Sequence, residues 1–365
     1  MKFQRLLTAS AALCVATVLA GCGGQSSTES NSAGAGDSSN ATTSSSSTES
    51  ATSLSGTGAT FPALIYTRWF EEYKGAKGVQ IDYDPKGSGA GIKALTDQST
   101  DFGASDAPLN ASEKGKLPSP AVTLPTVAGA VALAYNVPGA PKNLKMTSDA
   151  LAGVFLGQIT KWNDPKIAAA NPGATLPATP ITVAHRSDGS GTTYIFTNYL
   201  SAVSPEWKTK VGASKTVTWP TGLAGKGSDG VASTIKGTPG AIGYVELAFA
   251  KKGNLPYVSI KNKDGQFIAP SVEATTAAAE SSSDALVKDV TAPIVNASGA
   301  KSYPIAGFTY IMAYQSAQNA KKGAALKDFL KWAMTDGQKD AASLDYAPLP
   351  KAVADANLKT IDGLK

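Results

Sequence analysis

Histidine and cysteine are almost missing from this chain, which has one of the first, His185, and two of the second, Cys14 and Cys22, in 365 residues. A single histidine, read here as structural or solvent-facing, gives no basis for a metal site or a Ser/His triad. Cys14 would leave with the leader expected at residues 1–21, so the mature chain would keep Cys22 alone and could form no disulfide within itself. Charge is sparse too, at 17% of residues with a net +5 that falls to +3 without Lys2 and Arg5. So mild an excess, with no dense basic stripe, argues against nucleic acid and weakly suits an anionic ligand. No apolar run reaches the roughly 20 residues of a membrane span. Leu6 to Ala20 is too short, and Val122 to Asn136 is interrupted by Thr123, Pro125 and Thr126, which favours a buried strand.

What is present begins with a targeting segment, residues 1–21. Lys2 and Arg5 precede the apolar run, and Leu19-Ala20-Gly21-Cys22 closes it. The pattern resembles a bacterial lipoprotein signal, which implies cleavage before Cys22 and lipid on its sulfur; the alternative is an ordinary secretory signal with a coincidental cysteine. Residues 22–53 are dominated by Ser, Thr, Ala, Gly and Asn. Such a segment cannot bury enough surface to offset its ordering entropy, so a flexible tether of about 30 Å root-mean-square span is expected. The remaining residues, 54–365, are too many for one comfortable core and divide most simply into two domains.

Three stretches repeat one device. In Arg186-Ser-Asp-Gly-Ser-Gly-Thr192 a strand-like run, Ile181 to Ala184, enters a glycine-rich turn, and a helical pattern begins near Thr193. Gly189 and Gly191 let backbone N–H groups converge, Ser190 can cap the helix, and Arg186 offers a planar fork of donors to an oxyanion. Leu54 to Pro62 leads into helical spacing at Phe61, Leu64, Ile65, Trp69 and Tyr73, ended by Gly75, with Thr60 at its start. Val79 to Tyr83 reads as a strand running into Lys86-Gly-Ser-Gly-Ala-Gly91 and a helix through Ile92 and Leu95. Each alone is explained by helix capping. Three together point N–H and O–H donors out of strand carboxyl ends, where open α/β sheets hold ligands.

Asp106 closes a short buried strand, Phe102 to Ser105, on the same rim. An acceptor-only carboxylate takes a hydrogen bond from phosphate, which keeps a proton at physiological pH, and repels sulfate, which has none. Its plainer reading is the start of a turn before Pro108. Gly225-Lys-Gly-Ser-Asp-Gly230 is a literal G-x-G-x-x-G, but the strand signal before it ends at Pro220, so it reads as a turn into a helix over Val231 to Ile235. Trp162 to Pro165 begins a capped helix; Ala241 to Glu246 and Pro256 to Ile260 read as strands, with a hairpin turn at Asp264-Gly265. Val272 to Asn296 reads as helical and peripheral, and Tyr303 to Tyr314 as a second crossing strand. Leu326, Phe329, Leu330 and Ala333 form a helix stripe ended by Gly337.

Gly56-Thr-Gly-Ala-Thr-Phe-Pro62, Asp101-Phe-Gly-Ala-Ser-Asp-Ala-Pro108, the Arg186–Thr192 stretch and Gly240-Ala-Ile-Gly-Tyr-Val-Glu246 together resemble the phosphate-binding proteins of phosphate ABC transporters, the PstS family, over about Leu54 to Pro350. The resemblance implies a type II periplasmic-binding-protein fold, two α/β domains (54–129 with 304–365, and 130–303) joined by two crossing segments. It implies phosphate contacts from Ala59, Thr60, Phe61, Ser88, Asp106, Arg186, Ser190, Gly191 and Thr192, with Asp188 orienting Arg186. It further implies a monomer with no cofactor, metal or catalysis, lipid-anchored through Cys22 outside the cytoplasm, that docks on a membrane permease. Two positions depart from the pattern: Gly89, where a second serine is common, and His185 beside Arg186. A sulfate or molybdate binder, a secreted serine hydrolase using Ser190 or Ser88, and a surface sensor or adhesin stay open as other readings; no G-x-S-x-G frames either serine.

Overall fold

The computed structural model describes residues 53–365, so the leader, Cys22 and nearly all of the tether lie outside it. Eight strands form one mixed sheet, ordered edge to edge as Gln80–Asp84, Ser53–Gly58, Phe102–Ser105, Ala306–Tyr314, Ala121–Asn136, Ala241–Glu246, Thr182–Arg186 and Leu223–Gly225. The first three are parallel to one another, as are the last three. Two antiparallel strands separate these lobes. Ala121–Asn136 pairs along its first part with Ala306–Tyr314 and along its second with Ala241–Glu246, and so passes from one lobe into the other. Nearly every residue of this 16-residue strand is buried. That explains why its sequence is continuously apolar rather than alternating, since helices cover both faces.

Pro125 is accommodated by a register shift. Thr309 pairs with Val127 and Tyr310 with Pro125, which leaves Thr126 as an extra residue in the ladder. The bulge spares the sheet an N–H that proline lacks. The Thr126 hydroxyl then donates to the Thr309 carbonyl at 3.2 Å and meets the Tyr66 hydroxyl at 2.9 Å.

Each parallel strand ends at a helix start. The Ala63–Lys77 helix buries Ile65, Tyr66, Trp69, Phe70 and Tyr73 against the first lobe, each contributing roughly 1.5–3 kcal/mol of apolar burial. It runs through Gly75 and stops at Gly78, whose left-handed φ of 70° turns the chain out, so the stop lies three residues past the expected one. Ser88–Thr96 and Gly191–Val203 begin at the expected turns.

Other expectations are corrected. The strand after Pro256 is only Ser259–Lys261, in a small second sheet with Lys145–Met146 and Phe267–Ile268. Val272 to Asn296 is two helices, Val272–Glu280 and Ser283–Lys288, then irregular chain. Ala278, Ala279 and Leu286 are fully buried, so this region covers the core rather than its periphery. The Ala320–Met334 helix ends before Gly337, which belongs to a 3-10 turn whose carbonyl accepts the Trp69 indole N–H at 2.6 Å. The G-x-G-x-x-G stretch does follow a strand, the three-residue Leu223–Gly225, and its helix starts at Gly227.

Candidate oxyanion seat between the lobes

The first lobe supplies Thr60, Ser88 and Asp106. Neither hydroxyl caps its own helix. Thr60 Oγ1 instead meets Ser228 Oγ of the second lobe at 2.9 Å, and the Ser228 N–H donates to Thr60 Oγ1 at 3.3 Å. The Ser88 oxygen accepts the Asp106 N–H at 3.2 Å and, across the cleft, the Gly191 N–H at 2.9 Å. Both of its lone pairs are thereby used, which leaves its own proton to donate. Gly89 N–H donates to the Gly189 carbonyl at 2.8 Å, and Lys215 pairs with Glu113 at 2.8 Å. The lobes are therefore closed on one another, and Thr60, Ser88, Asp106, Arg186, Ser190 and Thr192 are all buried.

Arg186 ends its strand and the helix of the third turn starts at Gly191. Ser190 accepts the Thr193 N–H at 3.1 Å, the capping role its position suggests. Arg186 Nε and Nη2 donate to the two oxygens of Asp188 at 2.8 and 2.6 Å. This fork on a carboxylate fixes the guanidinium plane and leaves Nη1, 3.5 Å from the Thr192 hydroxyl, directed along the seat. Asp188 also accepts the Gly227 N–H at 3.0 Å. Burial pushes its carboxyl up, but the hydrogen bonds and charge of Arg186 outweigh that and hold it below the ordinary range.

Asp106 is the contrary case. Burial pushes it up to about 7, against the opposing pull of the Thr309 side chain, the Arg186 charge and the Thr192 N–H. Its Oδ1 is buried without a hydrogen-bond partner among the described residues. A buried acceptor ringed by donors is the arrangement that takes a proton from a bound oxyanion.

Two expected residues sit differently from the rest. Ala59 has both backbone groups engaged, its N–H on Ala104 at 3.0 Å and its carbonyl on the Tyr83 hydroxyl at 2.6 Å, so it positions Thr60 and has no donor to spare. The Ser190 N–H likewise goes to the Lys215 carbonyl at 2.9 Å, leaving only its hydroxyl. His185 stacks on Trp219 with ring centroids 5.0 Å apart, outside the seat, and its ring nitrogen lies 3.1 Å from the Arg186 carbonyl. Burial pushes its pKa down. Among the described residues no cluster of three or more His, Cys, Asp or Glu side chains could hold a metal.

Four groups at or beside the seat were not foreseen from sequence. They are Gly227 and Ser228, from the G-x-G-x-x-G stretch; Tyr244, whose hydroxyl accepts the Arg186 N–H at 3.0 Å and meets Thr193 Oγ1 at 2.6 Å; and Thr309. The glycines of that stretch were a signal. Tyr244 and Thr309 were hidden inside strands that read as core.

Two α/β lobes on a shared pair of crossing strands, shut over a buried set of N–H and O–H groups, define a solute-binding protein of the periplasmic-binding-protein class. Residues 43–337 match the family described as the PBP superfamily domain. Over 340 residues the chain is 41% identical to the phosphate-binding protein PstS of Xylella fastidiosa strain Temecula1, covering 93% of this chain and 92% of that one. Against PstS of Pasteurella multocida the identity is 41% over 304 residues, covering 83% and 88% of the two chains. The chain belongs to the PstS family of phosphate-binding proteins. Its fold is shared with the phosphate-binding protein from Stenotrophomonas maltophilia, at a TM-score of 0.64 and 21% identity over 84% of this chain and 93% of that one.

Proposed function

We propose that this protein captures inorganic phosphate between its two lobes and delivers it to the permease of a phosphate ABC transporter. The observation that carries the reading is Asp106, a buried carboxyl with an unpartnered oxygen set against Arg186, the Ser88 and Ser190 hydroxyls and the start of the Gly191–Val203 helix. Donors alone would hold any tetrahedral oxyanion. The carboxylate adds an acceptor that only a protonated one can satisfy.

In this reading phosphate oxygens take donors from Thr60, Phe61, Ser88, Arg186, Ser190, Gly191 and Thr192, Ala59 supports the first turn, and Asp188 aligns Arg186. The lobes comprise residues 54–129 with 304–365, and 130–303, and move as two bodies about the crossing strands. The protein binds and releases as a monomer without chemistry or cofactor. Names of the relatives, phosphate-binding proteins throughout, support phosphate as the ligand.

Lipid on Cys22 and a free tether would keep the lobes at the outer face of the cell membrane. No helix among the described residues is long and apolar enough to span one. Cys22→Ser should release the protein from membranes; retention in the membrane fraction would remove the anchor.

The decisive test of the binding role is calorimetric titration of anion-stripped protein with phosphate, with and without excess sulfate, for wild type and Asp106→Asn. Wild type should bind phosphate one to one with little sulfate interference. The asparagine amide adds a donor, so the phosphate-over-sulfate ratio should narrow at least tenfold, about 1.4 kcal/mol. An unchanged ratio would deny Asp106 its filtering role.

A further inference from the structure

Resting on the phosphate reading, we propose that Thr309 is a specificity-determining positioning residue: its hydroxyl holds the Asp106 carboxyl as an acceptor, so that a protonated oxyanion is favoured over an unprotonated one. The sheet register puts the two together. Ala306–Tyr314 runs antiparallel to Phe102–Ser105 with Tyr310 opposite Ser105 and Ile311 opposite Ala104. Continued by one residue, the ladder sets Thr309 opposite Asp106 with both side chains on one face.

Thr309 also stands at the bulge between the crossing strands, where the register jumps from Val127 to Pro125. Bulges re-aim side chains, and this one comes where a strand passes beneath the seat. The Thr309 side chain is fully buried, and its Oγ1, like Asp106 Oδ1, has no hydrogen-bond partner among the described residues. Two buried orphan polar atoms on adjoining strands are costly unless they serve each other. The backbone carbonyl of Thr309 is engaged by Thr126, which leaves the hydroxyl to serve the two groups it faces, the Asp106 carboxyl and the Tyr66 phenol, and of these the charged carboxylate is the stronger acceptor.

The chemistry has a definite sign. A hydroxyl donating to a carboxylate favours the ionised form. Thr309 is the strongest of the influences that pull Asp106 down, ahead of the Arg186 charge and the Thr192 N–H; burial and the Asp188 charge push the other way. The remaining titratable groups that sense Asp106 are the phenols of Tyr66, Tyr310 and Tyr346, which are buried, and of Tyr83, which is half-buried; all are pushed upward, so they stay neutral across the accessible pH range. Without the Thr309 hydroxyl, Asp106 takes its proton at a higher pH. As a neutral acid it can donate to any oxyanion and no longer rejects sulfate.

The test is sulfate competition against phosphate, measured by titration calorimetry from pH 5 to 9 on the whole mature protein. Wild type should admit sulfate only on the acid side. In Thr309→Val, nearly isosteric, the onset should move up by about one pH unit, the worth of one hydrogen bond to a charged group. Thr309→Ser should restore the wild-type profile. A folded Thr309→Val with the wild-type profile, or a serine variant that behaves like valine, would overturn the proposal. Should valine not be accommodated, Thr309→Ala reads the same quantity. The double variant Asp106→Asn/Thr309→Val must match Asp106→Asn alone at every pH, because Thr309 acts through Asp106; a further shift there refutes it. A wild type that takes sulfate as readily as phosphate at pH 8 would overturn the phosphate reading itself, an outcome distinct from a failure of Thr309 in a wild type that discriminates.

Discussion

Ser88 and Gly191 meet across the cleft, the Gly191 N–H donating to the Ser88 hydroxyl oxygen at 2.9 Å. The approach depends on the missing side chain. A Cβ at Gly191 would stand 2.5 Å from the Asp106 backbone nitrogen and 2.6 Å from its Cα. Backbone cannot give way as the end of a side chain can. Gly89, by contrast, would place a Cβ 3.2 Å from the Gly189 Cα, a contact that a small shift relieves.

Gly191→Ala should therefore hold the lobes apart while each folds normally. Overpacking of this kind costs roughly 1–3 kcal/mol, or about 5- to 150-fold in phosphate affinity. Gly89→Ala should cost less. Calorimetric titration of both variants checks the order, and equal losses would mean the seam is more pliant than its geometry implies.

Arg186 and Asp188 form the buried ion pair of the seat. Arg186→Ala should weaken phosphate at least tenfold, about 1.4 kcal/mol, and wild-type affinity would exclude Arg186 from the site. Asp188→Asn leaves a buried guanidinium without its countercharge, a loss of about 3 kcal/mol. Because Asp188 titrates below its ordinary value, its stabilisation is present above about pH 4 and fades as pH falls through the depressed folded value. The melting difference between wild type and Asp188→Asn should thus be full at neutral pH and shrink in acid. A gap constant with pH would show that shape, not charge, is at stake.

Tyr244 ties the two ends of the Arg186–Thr192 turn together, accepting the Arg186 N–H and meeting the Thr193 hydroxyl. Its ring stacks on Phe196 and Trp219 with centroids 4.8 and 5.5 Å away. Tyr244→Phe keeps that stacking and strands two buried polar groups, at about 1–3 kcal/mol of stability. Phosphate should leave faster as the turn loosens, which stopped-flow release would register. An unchanged release rate would confine Tyr244 to a structural part.

How far the sequence could be read depended on where information was local. The turns at Gly56–Pro62, Lys86–Gly91 and Arg186–Thr192 announce themselves because glycine and hydroxyl residues follow apolar strands, and their helices begin there. Asp106 was legible as the residue ending a short strand. The helix ends were less so: Gly75 sits exposed in the last turn of its helix with nothing near its missing Cβ, whereas Gly78 holds the positive φ, and spacing alone does not tell them apart. Ser228 was lost because the strand ahead of it is three residues long at a sheet edge. Thr309 and Tyr244 were lost because partners from distant segments give them their roles, and in the sequence each is one more residue of a buried strand.

Glu246 completes the Gly240–Glu246 stretch and lies where the second lobe meets the crossing strands, opposite Val131. One carboxyl oxygen caps the Leu247–Lys252 helix by accepting the Ala248 N–H at 2.9 Å; the other is buried without a hydrogen-bond partner among the described residues. Burial, with Asp345 nearby, pushes its pKa well above the ordinary value, against the pull of the Ala248 N–H. Folding therefore takes up a proton above about pH 4.3, and the stability this acid contributes at low pH is lost as pH rises toward the folded value. Glu246→Gln keeps the cap acceptor and removes the titration. Its melting temperature should stay near wild type at pH 4 and exceed it increasingly from pH 6 to 9, and a gap that does not widen with pH would mean the carboxyl is ionised in the fold after all.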